Sequence, residues 1–223
     1  MNYENSRKGL NLIFWGQLLG LIGSVIAIVG VLLTIGGVIV ANNAEAIDGV
    51  GAFTAAAAIV TSIMGVAVFV SYILYVVGVI KASKDEPCFK MALYMLFVAI
   101  VASLLQALFP VVFKDFLTVT FNNILNIVEE IAKLLSLLFV ITGVSALGED
   151  MGRADVVSLA NKVKSTILAI YILNLLAQLL NVLFVKSFSD VIVSVITVVV
   201  AVLELAGMIT YFILLNRARK MFD

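Results

Sequence analysis

The segment VVVAVLELAGMITYF, residues 198–212, is almost pure hydrocarbon and carries one carboxylate, Glu204. A carboxyl in such a run can bind a cation, carry a proton, or hydrogen-bond across helices; insertion alone costs about 2.5–3.5 kcal/mol or more. Other polar residues recur on helical stripes in nearby apolar segments. Successive helix residues turn by about 100°, so Asn122, Asn126, Glu129 and Lys133 fall within about a sixth of a turn of one another. Asn174, Gln178 and Asn181 do the same with Tyr171 close by, and Thr197, Glu204 and Tyr211 recur every seven residues. Ser103 and Gln106 complete the set.

Two chemistries fit these residues. The amides and acids either line a ligand- or ion-binding pocket, or act as interhelical hydrogen-bond glue worth about 0.6–2 kcal/mol each. Glu129 and Lys133, four apart, can pair with each other. Glu204 has no cation one turn away. It is expected to be a neutral acid donating a hydrogen bond, or to pair across helices with Lys133, the one basic residue inside an apolar run. Depth favours a pocket: Gln106, Gln178, Asn181, Asn126, Glu129 and Thr197 belong to the outer half of the membrane, with Glu204 and Asn174 near its middle. Unsatisfied polar groups in hydrocarbon cost several kcal/mol each, so the stripes should face protein or a water-filled cavity. The expected arrangement is an outward-open recess floored near Glu204.

The elements that must position these side chains follow from composition. The chain has 223 residues, 63% hydrophobic and 13% charged, against about 45–50% and 25% in soluble domains. The expected fold is all-α: a single integral membrane domain over residues 1–223 with six transmembrane helices. A span needs roughly 20 mainly apolar residues, and segments 12–41, 52–80, 90–113, 116–147, 165–185 and 191–215 qualify. The first run is too long for a signal-peptide core and reads as a retained helix. Paired, the segments form hairpin one (12–80), hairpin two (90–147) and hairpin three (165–215).

Basic residues orient the spans. Of the 14 Lys and Arg, 11 lie before the first span, in loops 81–89 and 148–164 or their edges, or after the last; only Lys114 and Lys186 fall in alternate loops. The positive-inside rule then puts both termini in the cytoplasm. Short loops suggest a bacterial plasma membrane. Hairpins two and three match at one ungapped offset: ASLLQALF (102–109) falls on AQLLNVLF (177–184), and Glu129 on Glu204. Such a match suggests a parallel repeat about the membrane normal.

Several functions are disfavoured. Zero net charge gives no bulk attraction for nucleic acid. With no histidine and only Cys88, the chain lacks the usual zinc and haem ligands, a Ser-His or Cys-His pair and an internal disulfide. Phosphate-loop and dinucleotide fingerprints are absent. Neither an enzyme nor a cofactor is expected.

Gly16, Gly20 and Ser24 follow a small-xxx-small spacing. That face serves to pack span one on span two, or to dock a membrane protein partner or a second copy through the first hairpin. Around it, GQLLGLIGS (16–24), together with span count and size, resembles the substrate-binding subunits of energy-coupling-factor importers. This chain has Gly and Ser where that family's motif favours Ala, and no ligand residue carries over. The resemblance implies a substrate-capturing transporter subunit within the lipid bilayer. Solute binding or transport is therefore the leading expectation, with a structural or accessory subunit of a membrane complex as the alternative.

Overall fold

A computed structural model describes the backbone of residues 3–41, 47–112, 117–184 and 190–222. Side chains are described throughout these except at 24, 27–41, 47–54, 110–112, 117–120, 123, 175–184 and 190–201. The described chain is all-helical: α1 Glu4–Ala41, α2 Ile47–Ala82, α3 Pro87–Val112, α4 Leu117–Asp150, α5 Ala154–Phe184 and α6 Asp190–Arg219, then a 3-10 turn over Lys220–Phe222. It contains no strand. Four stretches are long and apolar enough to cross a membrane: Ala55–Ala82, Pro87–Phe109, Ile124–Asp150 and Ala154–Asn174. These give the protein a membrane location. Three of them are weakly buried within the chain, which fits a lipid environment, in which every backbone polar group must be satisfied within its own helix.

Two compact units divide the chain, one of Met1–Leu10 with Val79–Asp223, the other Asn11–Gly78. The second consists of the greater part of α1 and α2. There Gly16 lies against the α2 backbone: a Cβ on it would sit 2.8 Å from the carbonyl oxygen of Ser71. The Ser71 hydroxyl donates to the Gly16 carbonyl at 2.7 Å, and a Cβ on Gly20 would meet the same hydroxyl at 3.0 Å. Gly16 and Gly20 are thus used within the hairpin, where small residues permit close backbone approach.

In the larger unit α3 pairs along α4, α4 with α5, and α5 with α6, while α6 only grazes α4. Its core gathers toward the end where α4 turns into α5. Phe89 and Ala92 of α3 are buried there with Val140, Ile141, Val144 and Leu147 of α4, Val156 and Val163 of α5, and Leu214 and Leu215 of α6. Toward the other end apolar side chains are exposed, among them Leu104, Leu108, Ile124, Ile127, Ile172 and Val202. One end is close-packed; the other offers its helices to lipid.

Local chemistry fixes the packed end. Gly152, at φ +68°, takes the left-handed conformation that ends a helix, and its neighbours close the turn through Arg153 N–H to Gly148 O at 2.7 Å. Pro87 opens α3, where its missing N–H costs nothing, and the Glu86 carboxylate accepts the N–H of Cys88 at 3.3 Å. Asp85, in the α2–α3 turn, caps another helix altogether. Its carboxylate accepts the backbone N–H of Ser6 at 2.6 Å and the side-chain amide of Asn5 at 2.9 Å, satisfying a donor in the first turn of α1. Tyr3 donates to Asp150 at 3.0 Å beside it. Partial burial pushes the Asp85 carboxyl up, but the hydrogen bonds from Asn5 and Ser6 outweigh it and hold the group below the usual aspartate range.

Three substitutions test these local contacts. Gly143 lies 2.8 Å, at its absent Cβ, from the ring of Phe89, which is wholly buried and cannot retreat. Gly143→Ala should cost roughly 1–3 kcal/mol in thermal melting of the purified protein. Gly65→Ala, with no described atom within 4 Å, should be neutral or stabilising by about 0.5–1 kcal/mol. Asp85→Ala should cost about 1–2 kcal/mol at neutral pH. Because the folded carboxyl titrates below its unfolded value of about 3.9, this increment is present above that pH and is lost as pH falls through the folded value. Melting curves of the two proteins should therefore converge only below about pH 3.9.

Candidate functional site

The polar stripes resolve into two couples, each built within one hairpin. In hairpin two, Gln106 of α3 donates its side-chain amide to Glu129 Oε2 at 2.9 Å. Lys133, one turn further along α4, pairs with Glu129 Oε1 at 2.5 Å. The i, i+4 spacing of acid and base makes this pairing available to any helix. In hairpin three, Asn174 of α5 donates to Glu204 Oε1 of α6 at 2.8 Å.

Both couples lie at one depth. Asn174 is 20 residues beyond the start of α5 at Ala154, and Glu129 is 21 before the end of α4 at Asp150. At 1.5 Å per residue both stand roughly 30 Å from the tight turn joining those helices. Gln106, 19 residues into α3 from Pro87, stands at nearly the same height. The sequence reading set Glu129 further out than Glu204; the pairings bring the two carboxylates into one layer.

Their surroundings differ. The Glu129 side chain is 13% exposed and carries its own cation. Glu204 lies on an exposed face of α6, and among the described residues no Lys or Arg comes within 4 Å of it. The expected floor of an interior recess is therefore an uncovered face in the single chain. The reason is packing: among the described residues α6 leans on α5 and barely reaches α4. Lys133, expected as a cross-helix partner for Glu204, is bound to Glu129 instead. Asn126 is also exposed. The side chains of Gln178, Asn181, Thr197 and Ser24 lie outside the described residues. At the offset relating hairpins two and three, Asn174 falls on Ala99, so the two couples do not correspond residue for residue.

Sequence reasoning passed over Ser136. It sits seven residues from Glu129 on the same α4 stripe, and its hydroxyl is buried with no hydrogen-bond partner among the described residues. Seven-residue spacing was the available signal. Its burial reflects position: the stripe runs toward the packed end, where Val140, Ile141 and Val144 are buried.

A second close contact braces the α5–α6 couple. Gly207, one turn past Glu204, lies where a Cβ would meet the Ile170 side chain at 2.8 Å. The couple is thus held by backbone proximity as well as by its hydrogen bond. Among the described residues no group of three or more His, Cys, Asp or Glu could hold a metal ion.

The chain matches no family model, no curated protein and no solved structure. The likeness to energy-coupling-factor substrate subunits accordingly rests on GQLLGLIGS, size and the expected number of spans alone.

Removing one partner of a couple exposes the cost of the other. Asn174→Leu leaves the Glu204 carboxyl without its donor and should destabilise by about 1–3 kcal/mol. Adding Glu204→Leu should recover most of that loss, because replacing both partners with apolar groups is nearly neutral. Thermal melting of the single and double variants in one detergent measures the difference.

Proposed function

We propose that the protein is a six-span membrane protein, with both termini cytoplasmic, that binds or moves a small solute at its intramembrane polar layer. One observation carries the reading: two amide–carboxylate couples, Gln106–Glu129 and Asn174–Glu204, occupy the same height in predominantly apolar helices. Structural glue needs neither acid. An amide–amide contact would hold the helices without the expense of a carboxyl group at that depth. Of the two acids, Glu204 is the one suited to a ligand, because Lys133 already answers Glu129. Its carboxylate and the Asn174 amide together offer acceptors and a donor, suited to an ammonium group, a metal cation or a polar hydroxyl.

The orientation rests on the distribution of Lys and Arg, and a bacterial plasma membrane on the short loops. An accessory subunit without its own transport remains the second reading, favoured by the exposure of Glu204 on a face that a partner helix would cover.

Uptake into cells overproducing the chain discriminates the two. Across a panel of radiolabelled cations, amino acids and vitamins, Glu204→Gln should abolish accumulation of the transported solute while membrane expression stays normal. A panel on which wild type and Glu204→Gln accumulate every solute alike would remove the transport reading.

A further inference from the structure

We propose that Lys90, Lys162 and Arg217 form a belt that binds the phosphate groups of anionic phospholipids, at the level where the packed end of the larger unit leaves the membrane. The belt is a property of the lipid-facing surface and is independent of what the polar layer carries.

A change in what the surface exposes locates that level. On α3 the exposed row Leu104, Val101, Phe97 and Tyr94 ends at Lys90, itself exposed. Its members are three or four residues apart, so the lysine closes one helical stripe. On α6 Val202, Ile209 and Ile213 lead to exposed Arg217 in the same way, and on α5 Leu173, Ala169 and Thr166 lead to exposed Lys162. Nearer the tip no large apolar side chain is exposed among the described residues of these helices and α4. None precedes Met91 on α3 or Ile172 on α5, and none follows Ile131 on α4 or Ile213 on α6. Apolar side chains gain by burial in water and gain little by it in lipid. The bare stripes therefore belong in hydrocarbon and the covered tip in water, with the three cations between them.

The three stand at nearly one height. Lys162 is 12 residues from Asn174, Arg217 is 13 from Glu204, and Lys90 is 16 from Gln106. At 1.5 Å per residue they lie roughly 18–24 Å from the polar layer. That spread is about one helical turn, which long basic side chains cover by snorkelling. Their charge is also unspent: among the described residues none of the three forms an ion pair. Glu86, one turn from Lys90, instead accepts the N–H of Cys88. Asp85 caps α1, Asp150 takes the Tyr3 hydroxyl, and Asp155 binds Arg153. Exposed Glu149 is unpaired among the described residues, but it lies at the end of α4, farther from the apolar stripes than any of the three. The counter-charge for the belt thus comes from outside the chain. Lipid phosphates are the anions present at that depth, and each Lys or Arg beside an anionic leaflet adds about a fivefold preference. Tyr94, exposed one turn from Lys90 on the apolar side, is a residue type that collects at the same interface.

Lipid titration tests the belt. The purified protein in a neutral detergent is titrated with phosphatidylglycerol, and bound lipid is read by native mass spectrometry, with phosphatidylcholine and inorganic phosphate as parallel titrants. Phosphatidylglycerol should bind about tenfold or more tighter than phosphatidylcholine. Lys90→Gln, Lys162→Gln and Arg217→Gln should each weaken it about fivefold, and the triple variant by well over about tenfold. Arg153→Gln, which removes a cation already paired at the tip, should bind phosphatidylglycerol as the unmodified protein does. Because the three side chains are exposed and unpaired, melting of every belt variant in phosphatidylcholine nanodiscs should match the unmodified protein. A lowered melting temperature there would make the residues structural and overturn the proposal. So would equal binding of the two lipids, undiminished phosphatidylglycerol binding by the triple variant, or an equal loss in Arg153→Gln. Inorganic phosphate binding as tightly as phosphatidylglycerol would assign the belt to a soluble anion and overturn it as well.

Discussion

Hydrocarbon cannot solvate a carboxylate, and the placement of the polar residues in this protein follows from that constraint. Among the described residues Glu129 is answered twice, by Lys133 on its own helix and by Gln106 on α3. Glu204 is answered among them by Asn174. Among the described residues the two acids at this depth thus differ in how fully they are paired. That difference explains why the two hairpins, alike in sequence, need not do the same thing.

The rest of the larger unit is arranged to hold that layer at a defined height. The packed end, around Phe89, Val140, Leu147, Val156 and Leu214, fixes α3 to α6 against one another. From there the helices run as rigid rods to the level of the acids. Gly143 lets Phe89 seat between α3 and α4, and Gly207 lets Ile170 seat between α5 and α6. Membrane helices gain little from burying apolar surface, since lipid is as apolar as leucine, so such close contacts supply much of the specificity. At the same end, Asp85 and Asp150 hold the start of α1 through Ser6, Asn5 and Tyr3. The chain's first turn is thereby tied to the base of the bundle.

The small-residue face of the first hairpin has a definite use. Gly16 and Gly20 bring α1 onto Ser71 of α2 so closely that a methyl group at Gly16 would strike backbone. That geometry uses both glycines in packing α1 on α2, the first of the two roles their spacing offered, with docking of a partner as the alternative.

What the sequence by itself determined is whatever depends on composition and period. Apolar runs and their length require helices in a membrane, because no other backbone arrangement satisfies its own hydrogen bonds there. The 100° step assigned Glu129 and Lys133 to one stripe, and their pairing follows from local geometry alone. Pro87 and Gly148 marked helix ends within a few residues of where α3 opens and α4 closes. Only the tertiary structure decided which stripes meet. Gln106 finds Glu129, Asn174 finds Glu204, and Asp85 caps a helix that begins some eighty residues before it. Those pairings depend on the axial register and rotation of one helix against another, which are set by summed side-chain contacts at the packed end. A periodic pattern states which face a residue occupies. It contains nothing about what stands opposite, and so the exposure of Glu204 was beyond its reach.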